Sequence, residues 1–322
     1  MEVPLEAVFH LHGWGVRFEV PTLELQEAVI HWSRRFPSPH RAVEINISLY
    51  GVASSQFSPP LPSAPQRGKR GVVVQGWAEE EEFYLLFSEV AWVRGNWARG
   101  EASVYAREEA LAQTAFLLHG VLKPTLLELL KGRGLYPLHA AALQRRQQGV
   151  LLLGPRGCGK TTLTAALVRA GWQFLADDLV LLRRSAAGPE VLAFPEDLDL
   201  PPDVAAAFPE TRPLLLATPQ AEKIPCPVEI LSSTSVAWQA VPRLLLFLQP
   251  VPKPRSDLRP LSPSATLPAV VEQSGFLGSR ETAAEHLALL RDLVHQTVAY
   301  HLRLGQDLRA AVQLLEGLIR SS

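Results

Sequence analysis

Residues 149–182, GVLLLGPRGCGKTTLTAALVRAGWQFLADDLVLL, constrain the fold more than any other stretch of the chain. An apolar run, Val150 to Leu153, meets Gly154-Pro155-Arg156-Gly157-Cys158-Gly159-Lys160-Thr161, which fits the pattern G-x-x-x-x-G-K-[ST]. A β-type run precedes the loop. An amphipathic helical run over 162–170 follows it, closed by Gly171 at the position after the helix. That order, strand then loop then helix, is the setting in which such a loop cradles phosphate. Glycine reaches positive φ and lets the backbone approach a polyphosphate. Successive N–H groups at the positive end of a helix then stabilise the anion. Lys160 supplies a mobile cation for the terminal phosphates, and the Thr161 hydroxyl is placed to hold Mg²⁺. Gly154, Pro155, Arg156, Gly157, Cys158, Gly159, Lys160, Thr161 and Thr162 are therefore the expected nucleotide-binding set. A plain glycine-rich turn is the alternative.

The second half of the stretch reads as a strand, 172–182, with Asp177 and Asp178 adjacent in an apolar run. Two acids in a core strand cost too much to bury unpaired, so they call for a cation or an exposed strand end. Adjacent strand residues point to opposite faces, which gives the two acids different tasks. One can approach Mg²⁺ while the other addresses an attacking hydroxyl. An acidic turn between two short strands is the plainer reading.

Leu138-His139-Ala-Ala-Ala142, the loop, Ala170-Gly171-Trp172 and Leu175-Ala-Asp177-Asp178 together resemble the catalytic core of the HPr kinase/phosphorylase family. They resemble more closely the HPr-kinase-like proteins associated with peptide-modification and small-molecule biosynthesis clusters. The likeness covers 136–182, with weaker echoes near 242–249 and 301–307. It implies a fold similar to phosphoenolpyruvate carboxykinase and ATP-dependent phosphorylation of a serine hydroxyl. It also implies that Asp177 acts on the hydroxyl, that Asp178 and Thr161 lie near the metal, and that His139 lies near the phosphates. The chain departs from the family in lacking the E-I-R-G-x-G signature after the acids, carrying PEDLDLPPD at 195–203 instead. Neither HPr as substrate nor reverse phosphorolysis is therefore carried over. Glu196 and Asp203 are the candidates for a third metal-shell acid.

At 322 residues the chain is long enough for two domains. Hydrophobic residues at 47% and charged residues at 20% make it globular. A formal charge of −1 lacks the basic footprint of a duplex-binding protein, so no nucleic-acid partner is expected. Two cysteines cannot build a disulfide framework, and a reducing cytoplasm fits. Cys158, beside a helix N-terminus, is either redox-sensitive or a small residue at a variable loop position. MEVPLEAVFH lacks a basic segment followed by an apolar one, and no run approaches 18 apolar residues, so neither a signal peptide nor a membrane span is expected.

Residues 3–20 read as two strands turning at 13–15, with 24–35 weakly helical or strand and 42–52 a strand. Residues 54–71, rich in Pro and Ser, read as a loop. Residues 72–77 and 83–92 read as strands around an acidic tip at 79–82. Trp14, Trp32, Trp77, Trp92 and Trp97 serve either core packing or a peptide cleft. His10 and His12 share a strand face, but no third ligand accompanies them. Residues 108–130 read as a helical pair interrupted by Pro124. Residues 136–143 read as a strand. Lys223 is a candidate for reaching a phosphate or the substrate. The remaining expectations are a buried strand at 242–249, a loop at 256–276, a helix at 282–296, a strand at 297–304 and a helix at 307–320.

The expected fold is an α/β phosphate-loop core of HPr-kinase C-terminal-domain type, 136–322, preceded by a smaller β-rich α+β domain, 1–105, and a helical connector, 106–135. The expected activity is that of a cytoplasmic ATP- and Mg²⁺-dependent kinase; kinases of the family it resembles are often oligomers, and the N-terminal β domain offers edges for pairing, so a homo-oligomer is among the expected partners. Its acceptor would be a hydroxyl of a peptide, a small protein or a small molecule. A small-molecule phosphotransferase and a non-catalytic nucleotide-binding scaffold are the alternatives.

Overall fold

Alternating side chains in the first hundred residues assemble into one sheet, as a computed structural model shows; it describes residues 4–36, 42–60, 66–67, 74–194, 196–233, 236–275 and 279–321. The chain is mixed α/β and divides into two units, Met1–Tyr136 with Phe276–His286, and Pro137–Gly275 with Leu287–Ser322.

The first unit holds β1 (Leu5–Leu11), β2 (Trp14–Val20), helix α1 (Leu23–Ser33), β3 (Val43–Val52), β4 (Gln66–Arg67), β5 (Val74–Glu79), β6 (Glu82–Phe87), β7 (Ala91–Asn96) and β8 (Glu101–Arg107). They form one eight-stranded sheet in the order β1-β2-β3-β8-β7-β6-β5-β4. Side chains alternate across it as a half-covered sheet requires: Phe83, Leu85 and Phe87 are buried while Tyr84 and Leu86 face outward. The expected strand 83–92 is two strands, parted by a turn in which Ser88 takes φ 50° and Val90 N–H bonds Phe87 O at 3.1 Å. Trp32, Trp77 and Trp97 are buried, which favours core packing. Trp92 is half-buried and stacks on Tyr105 at 4.3 Å. Of the expected loop 54–71, Ser54–Gln56 form a 3₁₀ turn and β4 pairs with β5; residues 61–65 and 68–71 lie outside the described residues, as do 72–73 of the expected strand.

Residues 106–135 pack within this first unit, where Trp97 Nε1 donates to Glu128 O at 3.0 Å. Pro124 does not interrupt the helix. A π-helical segment, Phe116–Leu122, runs directly into α2 (Lys123–Lys131), with the proline in the first turn of α2. A proline lacks an N–H and crowds the preceding turn; the wider i→i+5 turn makes room for it.

The second unit holds the glycine-rich loop 154–161. Its elements are β9 (Tyr136–Leu138), β10 (Ala141–Arg145), β11 (Gln148–Leu153), α3 (Lys160–Arg169), β12 (Gln173–Ala176), β13 (Val180–Ser185), β14 (Gly188–Leu192), β15 (Leu198–Leu200), α4 (Pro202–Ala206), α5 (Arg212–Ala217), β16 (Ile224–Cys226), α6 (Val228–Leu231), β17 (Gln239–Pro250), β18 (Asp257–Leu261), α7 (Pro263–Glu272), α8 (Arg280–Gln296), β19 (Val298–Leu304) and α9 (Leu308–Ser321). Helix α8 gives its first turns to the first unit. The main sheet runs β12-β10-β11-β17-β14-β13-β9, with β19 beside β17 and β18 beside β19; β15 and β16 pair separately. Strands β11, β17 and β19 are parallel. Val150 to Leu153 and Leu244 to Leu246 are buried without a break, as strands covered on both faces must be. One face packs on α3, α6 and α9 through Leu163, Leu231 and Leu315. Strands β10 and β11 are joined by Arg146-Gln147, both at positive φ, the two-residue hairpin geometry that matches strand twist.

The stretch 256–276 is not a loop. It contains β18 and α7, capped by Ser262 Oγ accepting from Ala265 N–H, with Pro263 in the first turn. Its last residue lies outside the described residues, as does Pro195 of the segment 195–203.

Candidate active site

Strand β11 ends at Leu153, and the chain turns through Gly154 (φ 140°), Gly157 (φ 82°) and Gly159 (φ 95°) before α3 begins. At Gly154 a Cβ would lie 2.9 Å from Cys158 Sγ and 3.2 Å from Leu248 O, so only glycine allows the loop to fold over β17. Pro155, Arg156 and Gly157 form the exposed crest, and Cys158 is buried beneath it. Lys160 is buried too, and its ammonium donates to Gly154 O at 2.7 Å and Pro155 O at 3.3 Å. The N–H groups of the first turn of α3 have no partner inside the helix, as at any helix start.

The two acids do not sit inside one strand. Strands β12 and β13 pair with different neighbours, β10 and β14, and the acids occupy the bend between them. The expected strand 136–143 breaks likewise, into β9 and β10, at His139 and Ala140. Since β10 pairs with β12 and β9 with β13, the two breaks lie side by side. His139 Nδ1 and Asp178 Oδ1 are 3.2 Å apart there, and the His139 N–H bonds Gln273 O at 2.9 Å.

Asp177 and Asp178 have unlike surroundings. Asp178 is exposed. Asp177 is half-buried, but its Oδ1 is closed off from solvent and makes no hydrogen bond among the described residues. Burial pushes its carboxyl up to about 6; the Thr161 hydroxyl opposes that, Asp178 adds to it, and Thr164 and Lys160 oppose it. Thr164 Oγ1 is itself buried, near enough to act on the carboxyl yet without a well-formed hydrogen bond among the described residues. Sequence reasoning missed Thr164. It lies one helical turn after Lys160 and Thr161, a spacing that marks one face of α3.

The structure thus brings together the loop, Thr161, Asp177, Asp178 and His139. It does not bring in Lys223, whose ammonium pairs with Asp199 at 3.0 Å on the small β15–β16 sheet. Asp203 is exposed in the first turn of α4. Among the described residues no group of three His, Cys, Asp or Glu side chains is placed to hold a metal, so neither Glu196 nor Asp203 completes such a cluster. His10 and His12 form none either. Burial pushes the Cys158 thiol up, against the nearby Lys160, which favours a small filler over a redox-sensitive thiol. Cys158 and Cys226 are both free. Among the described residues no helix is long and apolar enough to cross a membrane.

No family model and no curated protein matches the chain. Among solved structures it is similar to the Hpr(Ser) kinase/phosphatase from Coxiella burnetii. The two are 16% identical, the likeness covers 57% of this chain and 88% of that one, and its TM-score of 0.33 makes it a weak one.

Proposed function

We propose that the protein is an ATP-dependent phosphotransferase of HPr-kinase-like type that phosphorylates a hydroxyl, a serine of a peptide or small protein in the first instance. The observation that carries this reading is Asp177: a carboxyl whose Oδ1 is buried without a hydrogen bond among the described residues, beside Thr161 at the root of a phosphate loop. A scaffold that only held nucleotide would have no use for such a group, and Asp177 makes no salt bridge among the described residues that would retire it to a structural role.

The loop N–H groups and Lys160 bind and orient the transferred phosphoryl and take up its developing charge. Lys160 must first exchange its bonds to Gly154 O and Pro155 O for phosphate oxygens, a short swing of one flexible side chain. Asp177, its carboxyl pushed up to about 6, is poised as a general base near neutral pH and accepts the acceptor's hydroxyl proton. His139 Nδ1 stands 3.2 Å from Asp178 Oδ1, where a protonated imidazole would orient that carboxylate. Thr161 and Asp178 would hold Mg²⁺, which such sites bind through one or two carboxylates and the substrate phosphates rather than a full protein cage. Bound there, the ion would neutralise charge on the phosphates. The proximity of Thr161 to Asp177 favours a second reading, in which the two acids exchange roles.

Phosphate transfer from labelled ATP, measured over a panel of serine peptides and small polyhydroxy compounds, tests the proposal. Label in one acceptor class with wild type and none with Lys160→Ala supports it, and that class separates a peptide kinase from a small-molecule phosphotransferase. Binding of Mg·ATP no tighter in wild type than in Lys160→Ala would sink it.

A further inference from the structure

The loop has two flanks, because β10 and β17 border β11 on opposite sides. The acids occupy the flank towards β10 and β12. The other flank, towards β17 and β19, carries a cavity of about 400 Å³, within the ~300–1,000 Å³ common for small-ligand sites. Cys158 and Thr162 form its loop-side wall, Val251 follows the end of β17, and Leu304, Gln306 and Leu308 come from the passage between β19 and α9.

The far wall is a constructed one. Val251 N–H bonds Leu304 O, Gln306 N–H bonds Lys253 O, and Asp307 N–H bonds Pro254 O, each at 2.9 Å. Gly305 N–H bonds Ser256 Oγ, also at 2.9 Å. These bonds hold the two segments as one piece. They close so tightly that a Cβ on Gly305 would lie 2.6 Å from Pro254 O. Asp307 is committed to capping α9, its Oδ1 accepting from Ala310 N–H at 3.0 Å. The cavity sits at the carboxyl ends of three adjacent parallel strands, where open α/β sheets place their ligands.

Its chemistry narrows the occupant. No charged side chain lines it among the described residues, so it does not suit a phosphate or a carboxylate. Val251, Leu304, Leu308 and the Cys158 thiol give apolar walls, while the Gln306 amide offers one donor group and one acceptor. A flat heterocycle with a hydrogen-bonding edge suits that lining, and the phosphate loop is its immediate neighbour. We propose that this cavity takes the nucleobase of the nucleotide whose phosphates the loop binds, with Gln306 at the ring's polar edge. This rests on the reading of the loop as a nucleotide site.

The test compares equilibrium binding of Mg·ATP and of magnesium tripolyphosphate to the full-length chain. Wild type is expected to bind ATP at least about tenfold more tightly than tripolyphosphate, which has no base. Val251→Trp and Leu308→Trp, which fill the cavity, are expected to weaken ATP about tenfold and to leave tripolyphosphate within about twofold. Gln306→Ala, at an exposed residue that does not threaten folding, is expected to weaken ATP about threefold and tripolyphosphate not at all. Equal affinity of wild type for the two ligands, or equal loss of both in the variants, would overturn the base site while leaving the phosphate loop intact. Binding of neither ligand by folded wild type would overturn the loop reading, and the base site with it.

Discussion

Each unit of the molecule buries ionisable groups, and the two do so in opposite ways. In the first unit Lys131 donates to both oxygens of Glu128, at 2.7 and 2.8 Å, with the lysine side chain almost wholly enclosed. Nearby, His286 stacks on Tyr136 at 4.8 Å, and the Tyr136 hydroxyl donates to Glu285 at 2.7 Å. Charge meets charge in the Glu128–Lys131 pair. In the second unit the half-buried Asp177 sits at the root of the loop beside the Thr161 hydroxyl, with its Oδ1 closed off and making no hydrogen bond among the described residues. A buried pair is what packing tolerates. A carboxyl with one oxygen closed off from solvent and no cation paired to it among the described residues is maintained at a cost, and that cost points to a site that works on something else.

The comparison breaks first on activity. Asp177→Asn is expected to lower kcat by roughly 10²–10⁴, the range for loss of a general base, while Asp178→Asn costs less and raises the Mg²⁺ requirement. The reverse ranking would assign the hydroxyl to Asp178. Next comes Glu128→Leu, which removes the carboxylate paired with the enclosed Lys131 ammonium and is expected to destabilise the fold by about 3–5 kcal/mol in chemical denaturation. Replacing both partners, Glu128→Leu with Lys131→Met, should recover most of that loss. A double variant as unstable as the single one would show that the pair does more than neutralise itself.

The smaller effects are pH-dependent and of opposite sign. Folding raises the Asp177 pKa from 3.8 to about 6, so between those values the native state holds more protons than the unfolded one and stability falls as pH rises. Asp177→Asn removes that penalty. It should gain roughly 2 kcal/mol at pH 7.5 and nothing at pH 4, read from denaturation midpoints. His286 goes the other way. Burial first, then Lys131, lowers its pKa from 6.5 to about 4, so the unfolded chain binds more protons across that window and stability is lost as pH falls through it. His286→Phe should flatten that acid limb by about 2 kcal/mol or less. An unchanged limb would move the acid sensitivity to other groups.

The loop was legible in the sequence because its chemistry is local: three glycines at positive φ, a lysine and a helix start fall within a few residues. The place of the acids was not. Residues 172–182 have the composition of one strand, and only the partners β10 and β14, distant in the chain, part it at the two carboxylates. Pro124 and the segment 256–276 misled for the same reason. Proline disfavours the middle of a helix but suits its first turn, and which applies depends on where the helix begins. The cavity wall at Val251 and Leu304–Leu308 left no local signal, since it exists only once two parallel strands end beside each other.

Strand β17 runs twelve residues, and its two halves serve different neighbours: Gln239–Ala240 pair with β14, while Leu244–Phe247 are flanked by β11 and β19 at once. Amide protons in that doubly flanked half can exchange with solvent only when the whole unit comes apart, so they should be the slowest in the chain. Those of Arg156 and Gly157 in the exposed crest should exchange within the native state. The floor beneath the loop would then keep its shape through every local opening, and change would be confined to the rim.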